Sequence, residues 1–318
     1  MIKTATQLKA LVRNLAKTTG IPNYILIRRY MMDRFLERLS QTRYRDAFIL
    51  KGGLLISEMV GLETRATKDI DTTVTGVPLT ENGMEQVFRE IIAVDLDDEV
   101  TFSLAGINTI MDESEYEGLR VGIDAHLDSI VMPLKIDIST GDAITPQAIA
   151  YDYRLMFEGR TIAVKAYPIE TVLAEKIETM ITRAETNTRM RDFYDMHILL
   201  KSYSGNIDRD TLQKALEATA RRRGTAGVFV ESEEVLTALE NSPYLKELWQ
   251  NYQMRNPYVK GITWDAVMQS ARILCLMSGI EINKPSVLNA HNVLEGKCKH
   301  DETNRDRKGS RSRSGEER

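Results

Sequence analysis

The sequence predicts a mixed α/β (α+β) fold, with a sheet and its flanking helices followed by a helical C-terminal domain. Three observations support this: helical periodicity near the N-terminus, short apolar runs between about 46 and 166, and renewed helical periodicity from Pro168 onward. The 318 residues are 42% hydrophobic and 28% charged, as in ordinary globular proteins. The net charge of −4 argues against a uniformly basic nucleic-acid coat protein but leaves room for a local basic patch.

Residues 5–40 predict two helices joined by a turn at Gly20-Ile21-Pro22. Asn23 is the expected cap of the second helix. Apolar residues recur three or four positions apart on both sides of the turn: Leu8, Leu11, Val12 and Leu15, then Ile27, Met31, Phe35 and Leu39.

The central region predicts strands separated by glycine, proline and acidic clusters. The first strand, 48–50, leads through Lys51-Gly52-Gly53 into a short helix over 54–60. The further strands are expected at 69–75, 100–110, 117–127, 132–139 and 161–166.

The C-terminal half predicts a series of helices. Pro168 suits a first helical position, and an apolar stripe runs from Ile169 to Ile181. Further helices are expected over 191–202, 208–222, 233–254 and 263–280. We therefore expect four parts: N-terminal helices at 1–45, an α/β domain at 46–167, a helical domain at 168–285 and a disordered tail at 286–318.

The sequence predicts a cytoplasmic protein with no membrane segment. Its start lacks the apolar core of a signal peptide. The most apolar stretch, 47–60, spans 14 residues and contains charged side chains, so it is too short and too polar to cross a bilayer. Cys275 and Cys298 are too few for a secreted disulfide framework.

Asp69 and Asp71 are the first candidate functional residues. Residues two apart on a strand share a face, so the two carboxylates point the same way while Ile70 points into the core. Two such carboxylates repel each other unless a cation lies between them, and Mg²⁺ suits this role with phosphate substrates. The simpler interpretation is a pair of solvated aspartates.

Asp137, in Lys135-Ile136-Asp137-Ile138, interrupts an apolar strand, where aspartate is disfavoured. If its strand lies beside that of Asp69, three carboxylates converge and can hold two metal ions about 3.5–4 Å apart. The alternative is a surface pair between Asp137 and Lys135.

The Lys51-Gly52-Gly53 bend lies between a strand and a helix. Glycines there let backbone N–H groups approach a phosphate, and the start of a helix favours anions. A plain tight turn explains the same residues. No Walker or G-x-G-x-x-G motif occurs.

In combination, these elements resemble the DNA polymerase β-like nucleotidyltransferase superfamily, and more closely the AbiEii-type (DUF1814) toxins. The resemblance covers about residues 20–205. The matching elements, in order, are Lys51-Gly52-Gly53, Arg65-Ala66-Thr67-Lys68-Asp69-Ile70-Asp71, Lys135-Ile136-Asp137, Ala174-Glu175-Lys176-Ile177 and Arg191-Asp192-Phe193-Tyr194-Asp195.

The resemblance implies roles for these residues. Asp69, Asp71 and Asp137 would hold Mg²⁺, in a site for two metals. Lys51, Gly52, Gly53 and Lys176 would grip a nucleoside triphosphate. Asp192 would act as base toward the incoming hydroxyl, with Arg191 and Asp195 organising it. Leu54 stands where the superfamily has serine, so that hydroxyl contact must come from the backbone or from Thr67.

Two of these residues also have simpler interpretations. Lys176 lies on the apolar stripe, where a lysine needs an anion or a route to solvent. Arg191 and Asp195, four residues apart, could simply pair on the helix surface.

The resemblance implies a nucleotidyltransferase (EC 2.7.7.-) toxin of a toxin–antitoxin or phage-abortive system. It would transfer a nucleoside monophosphate to an acceptor such as tRNA or another RNA and release pyrophosphate. An AbiEi-like antitoxin encoded nearby is the expected partner. Two alternatives stay open: a non-catalytic nucleotide-binding module that acts on a partner or RNA, and a nucleotidyltransferase that modifies a protein hydroxyl.

Overall fold

The computed structural model describes residues 2–111 and 117–282. Two helices open the chain as predicted, α1 (Ala5–Thr19) and α2 (Asn23–Ser40). The Thr4 side chain caps α1 by accepting a hydrogen bond from the Gln7 N–H. The expected cap at Asn23 is wrong: the cap position of α2 is Pro22, and no side-chain hydrogen bond caps this helix.

The six predicted strands and one further strand, β6, form one mixed seven-stranded sheet in the order β3-β4-β5-β2-β1-β7-β6. The β2–β5 and β1–β7 pairs are parallel, and the other neighbours are antiparallel. The strands are β1 (Phe48–Lys51), β2 (Ile70–Val74), β3 (Thr101–Met111), β4 (Glu117–Leu127), β5 (Ile130–Thr140), β6 (Ile149–Arg154) and β7 (Thr161–Ala166).

Two helices accompany the sheet. The helix after the first strand, α3 (Gly52–Val60), begins directly at the diglycine. A second helix, α4 (Glu81–Ile92), was not predicted, although its buried residues Met84, Val87, Phe88 and Ile91 follow helical spacing. Strand β6 was also not predicted, because it is short and mostly exposed.

The two faces of the sheet differ in chemistry. On β2 and β5 the residues of one face, such as Ile70, Ile136 and Ile138, are fully buried and apolar. Aromatic rings pack between this side of the sheet and the helices, with 6.2 Å between the Phe48 and Phe88 ring centres. The opposite face carries the aspartates, so strand alternation separates core from candidate site.

The C-terminal half is helical, as predicted. The sequence segment 233–254 forms two helices rather than one, because Pro243 starts a new helix with Ser242 as its cap. The helices are α5 (Ile169–Arg183), α6 (Met190–Tyr203), α7 (Arg209–Arg223), α8 (Ser232–Asn241), α9 (Pro243–Arg255) and α10 (Trp264–Met277).

Buried apolar residues form one continuous core from α1 to α10. The four-part domain division expected from the sequence stays a prediction. The predicted disordered tail, 286–318, lies outside the described residues. Over the described ranges, no helix combines the length and apolar character that crossing a bilayer requires.

Candidate active site

Two of the predicted carboxylates meet across a strand pair. Strands β2 and β5 run parallel, and Asp71 is the register partner of Asp137. Neighbouring strands lie about 4.8 Å apart, so the two side chains project side by side from the same face. Asp69 lies one residue before β2, at the same end of the strand. The strand of Asp137 therefore lies beside the strand that follows Asp69, as expected.

The diglycine bend brings the start of α3 against Asp71. The Gly53 N–H donates a hydrogen bond to Asp71 Oδ2 at 3.0 Å. Gly52 has φ +62°, and a Cβ at this position would lie 2.7 Å from Asp71 Cγ. Only glycine permits this backbone conformation and this close approach together. The bend thus places the positive end of a helix beside a carboxylate.

Thr67 packs against the other glycine. A Cβ at Gly53 would lie 2.6 Å from Thr67 Oγ1, and Thr67 is itself buried. Leu54, which stands where the superfamily has serine, is fully buried in the core. Thr67 therefore places a hydroxyl against the bend from the segment before β2.

The pKa of Asp71 is raised, mainly because the carboxyl is desolvated. The Gly53 N–H and the charge of Arg191 oppose this rise in pKa, whereas the neighbouring charge of Asp137 adds to it. Arg191 is exposed at the first turn of α6. Its charge therefore favours the ionised form of Asp71.

Asp137 is paired with Arg120 of β4, a residue that no sequence motif indicated. Arg120 Nε donates to Asp137 Oδ1 and Arg120 Nη2 donates to Oδ2, both at 2.7 Å. The alternative of a surface pair with Lys135 is wrong in its partner: the cation on Asp137 is 17 residues away in sequence. Because β4 and β5 form a hairpin, the pairing of Arg120 with Asp137 could have been predicted from the register of the two strands.

Lys51 points into a second polar cluster on the same face of the sheet. Its Nζ donates to Asp142 Oδ2 at 2.6 Å and to Ser139 Oγ at 2.8 Å. Asp142 also accepts hydrogen bonds from Thr73 and Tyr167. Burial alone would raise the pKa of Asp142, but Lys51 and the hydroxyls outweigh it and the pKa is well below the usual range.

Lys176 and the α6 motif form a buried ion cluster with Arg65. Lys176 Nζ donates to Asp192 Oδ1 at 2.7 Å and contacts Asp195 Oδ2 at 2.9 Å, while Arg65 Nε donates to Asp195 Oδ1 at 2.8 Å. Asp195 therefore pairs with Arg65 and Lys176, and the simple Arg191–Asp195 surface pair is not what the structure shows.

The charges of this cluster stabilise one another. Burial lowers the pKa of Lys176, but attraction to Asp192 and Asp195 outweighs it and leaves the pKa raised. Burial likewise opposes the ionisation of Asp195, yet Arg65 and Lys176 leave its pKa lowered. The Asp195 side chain is 1% exposed, whereas those of Lys176 and Asp192 are 12% and 13% exposed, so these two are more accessible to a ligand than Asp195.

The donor set is chemically suited to a hard divalent cation, since carboxylate oxygens are the preferred ligands of Mg²⁺. In the described conformation, however, no group of three or more His, Cys, Asp or Glu residues within 2–111 and 117–282 is arranged to hold a metal ion. Asp137 is paired with Arg120, and the other two predicted carboxylates, Asp69 and Asp71, lie at the start of β2.

Comparison with known protein families identifies the class of this protein. The family model for the nucleotidyl transferase AbiEii toxin of Type IV toxin–antitoxin systems matches residues 34–270, about three quarters of the chain. The chain belongs to this AbiEii family. Membership confirms the resemblance seen in the sequence and implies that an antitoxin is a partner.

Solved structures with similar folds include MenT4, a nucleotidyltransferase toxin from Mycobacterium tuberculosis, at 15% identity and a TM-score of 0.52. The match covers 86% of this chain and 99% of MenT4. A putative nucleotidyltransferase from H. pylori matches at 17% identity and a TM-score of 0.44, covering 81% of this chain and 95% of that one. No curated protein sequence matches this chain. The MenT4 likeness supports the predicted mixed α/β fold.

Proposed function

We propose that the chain transfers a nucleoside monophosphate from a nucleoside triphosphate to a hydroxyl group of an RNA, with tRNA as the first candidate. The acceptor oxygen forms a bond to the α-phosphorus, the bond from that phosphorus to the bridging oxygen breaks, and pyrophosphate leaves. Membership of a nucleotidyltransferase family supports the reaction class.

The observation that carries the proposal is the Asp71–Asp137 register pair beside the diglycine bend. The adjacent carboxylates of Asp71 and Asp137, with the half-buried Asp69 nearby, concentrate negative charge at this end of β2. We propose that Asp69 and Asp71 hold Mg²⁺, which when bound would neutralise part of the negative charge of the triphosphate. The protein groups then orient the substrate so that the reacting atoms are in line.

The remaining residues supply the contacts to substrate. In this proposal the start of α3 at Gly52 and Gly53, with Thr67 against it, favours the anionic phosphates through the helix N-terminus. Arg191, exposed on α6, adds positive charge near Asp71. Lys176 holds Asp192, and Asp192 accepts the proton of the acceptor hydroxyl. Lys51 contributes by fixing Asp142 and Ser139 at the edge of the site.

The test is incubation of the full chain with each α-labelled triphosphate, Mg²⁺ and total cellular RNA. We expect label to appear in RNA with the wild type and to be lost with Asp69→Asn. Label in protein instead of RNA would redirect the proposal to a protein hydroxyl as acceptor.

A cellular assay separates catalysis from stoichiometric binding. If expression inhibits growth and Asp71→Asn, which keeps the shape of the side chain, inhibits it equally, the chain acts as a non-catalytic binding module. We propose that a neighbouring gene encodes an AbiEi-like antitoxin, and its co-expression is expected to restore growth.

A further inference from the structure

Four charged residues form a row across one face of the sheet. Their register partnerships link Arg120 on β4 to Asp137 on β5, Asp137 to Asp71 on β2, and Asp71 to Lys51 on β1. The signs along the row are positive, negative, negative and positive. Each member is the direct cross-strand neighbour of the next, so the sheet itself sets their spacing.

At one end of this row, Arg120 forms an ion pair with Asp137. Both carboxylate oxygens of Asp137 accept from the guanidinium at 2.7 Å, a bidentate pair in which the planar fork matches the carboxylate. The side chains are 42% and 23% exposed. The pKa of Arg120 is raised, first by its hydrogen bond to Asp137 and further by the charges of Asp137, Asp69 and Asp71. One guanidinium therefore experiences all three carboxylates.

A lysine would not replace Arg120 in this geometry. The guanidinium presents two parallel N–H donors to two oxygens, whereas an ammonium is a compact point charge. Because direct partners of an antiparallel pair have Cβ atoms about 4.5–5.5 Å apart, the guanidinium is tethered beside Asp137. Its local concentration there is high, and a second cation in solution must compete with it.

We propose that Arg120 takes the place of a second divalent cation: it holds Asp137 and leaves Asp69 and Asp71 to bind a single one. This inference rests on the proposed function and changes one feature of it. The sequence predicts a two-metal site on three carboxylates, whereas the bidentate pair makes one carboxylate a ligand of arginine. Arg120 is in this sense a positioning residue, acting through Asp137.

The test counts Mn²⁺ ions by electron paramagnetic resonance on the full chain, with one equivalent of a non-hydrolysable triphosphate analogue and a blank of analogue alone. We expect one Mn²⁺ per wild-type chain, with a mononuclear spectrum. Arg120→Leu frees Asp137, and we expect it to bind a second Mn²⁺ and to show a spin-coupled pair. Arg89→Ala removes an exposed arginine of α4, paired with Glu85, and is the matched control expected to bind one.

A second variant tests the inference even if Arg120→Leu does not fold. Asp137→Asn removes the charge that Arg120 holds, and we expect it to keep one Mn²⁺ with an affinity within threefold of the wild type. If the wild type binds two Mn²⁺ ions and Asp137→Asn binds one, the inference about Arg120 is overturned. The proposed nucleotidyl transfer is not contradicted by that result. No Mn²⁺ bound to the wild type would overturn both this inference and the metal dependence of the proposed function. Circular dichroism checks that each variant is folded.

Discussion

Asp71 and Asp137 are direct register partners on parallel strands, yet they have different partners: Asp71 accepts from the backbone of α3, and Asp137 accepts from Arg120. The two carboxylates at one position of the sheet are thus held by a helix end and by a side chain. This asymmetry makes Asp71 the carboxylate on which the proposed reaction depends most directly.

We expect Asp71→Asn to reduce nucleotide transfer about a thousandfold, since a metal-stabilised transition state accounts for several kcal/mol and each factor of ten corresponds to about 1.4 kcal/mol. The amide still accepts from the Gly53 N–H, so the fold should persist. Initial rates with labelled triphosphate, alongside a thermal unfolding curve, measure both. Transfer by the variant within tenfold of the wild-type rate would contradict this assignment.

Gly52→Ala tests the diglycine bend. The added Cβ would lie 2.7 Å from Asp71 Cγ, so Asp71 must shift and transfer should fall about a hundredfold, as when one preorganised contact is lost. Gly20→Ala is the matched control, because Gly20 has φ +73° with no atom within 4 Å of a Cβ. Both variants carry the left-handed strain of about 1–2 kcal/mol, and only Gly52→Ala should lose activity. Equal losses of activity would attribute the effect to backbone strain alone.

Asp195→Asn tests the buried ion cluster. It leaves Arg65 and Lys176 near each other with one carboxylate fewer, and we expect the free energy of unfolding to fall by about 3 kcal/mol, as when one partner of a buried pair is removed. Urea unfolding monitored by circular dichroism measures the change. Glu90→Gln, which breaks the exposed pair with Arg43, should leave the midpoint unchanged. A similar midpoint for both variants would mean that the buried cluster contributes little to stability.

Because His197 is buried, we expect the free energy of unfolding to depend on pH. Burial, with a smaller effect from Lys201, lowers its pKa to about 4, and its Nδ1 lies 2.8 Å from Ser270 Oγ on α10. The unfolded chain takes up this proton near pH 6.5, so His197 stabilises the fold above that pH, and the contribution is lost as the pH falls toward 4. The full shift corresponds to about 3 kcal/mol.

The measurement is the free energy of unfolding at several pH values between 7 and 4, for the wild type and for His197→Gln. The variant should show a shallower decline, because the carboxylates titrate in both proteins and only the imidazole is removed. Parallel curves would show that His197 does not link folding to protons in this range.

The sequence predicted most of the secondary structure because local patterns carry it. Period-two alternation places Asp71 on the face opposite to the buried Ile70, and the glycines mark the point where β1 turns into α3. Asp69 lies one residue before β2, so its predicted place on the same face stays a prediction. The order of the motifs also indicated the AbiEii family before any contact was known. The helix α4 and the break between α8 and α9 were missed although Thr80 and Pro243 mark both starts.

What the amino-acid order determined by itself is therefore most of the elements, the strand face on which Asp71 and Asp137 lie and the family to which the chain belongs. Only the tertiary structure decided which charge meets which: Arg120 with Asp137, Lys51 with Asp142, and Arg65 with Asp195, pairs separated by 17, 91 and 130 residues. The physical reason is that side-chain alternation is a property of neighbouring residues, whereas ion pairing depends on the order of strands in the sheet and on how the helices pack against it.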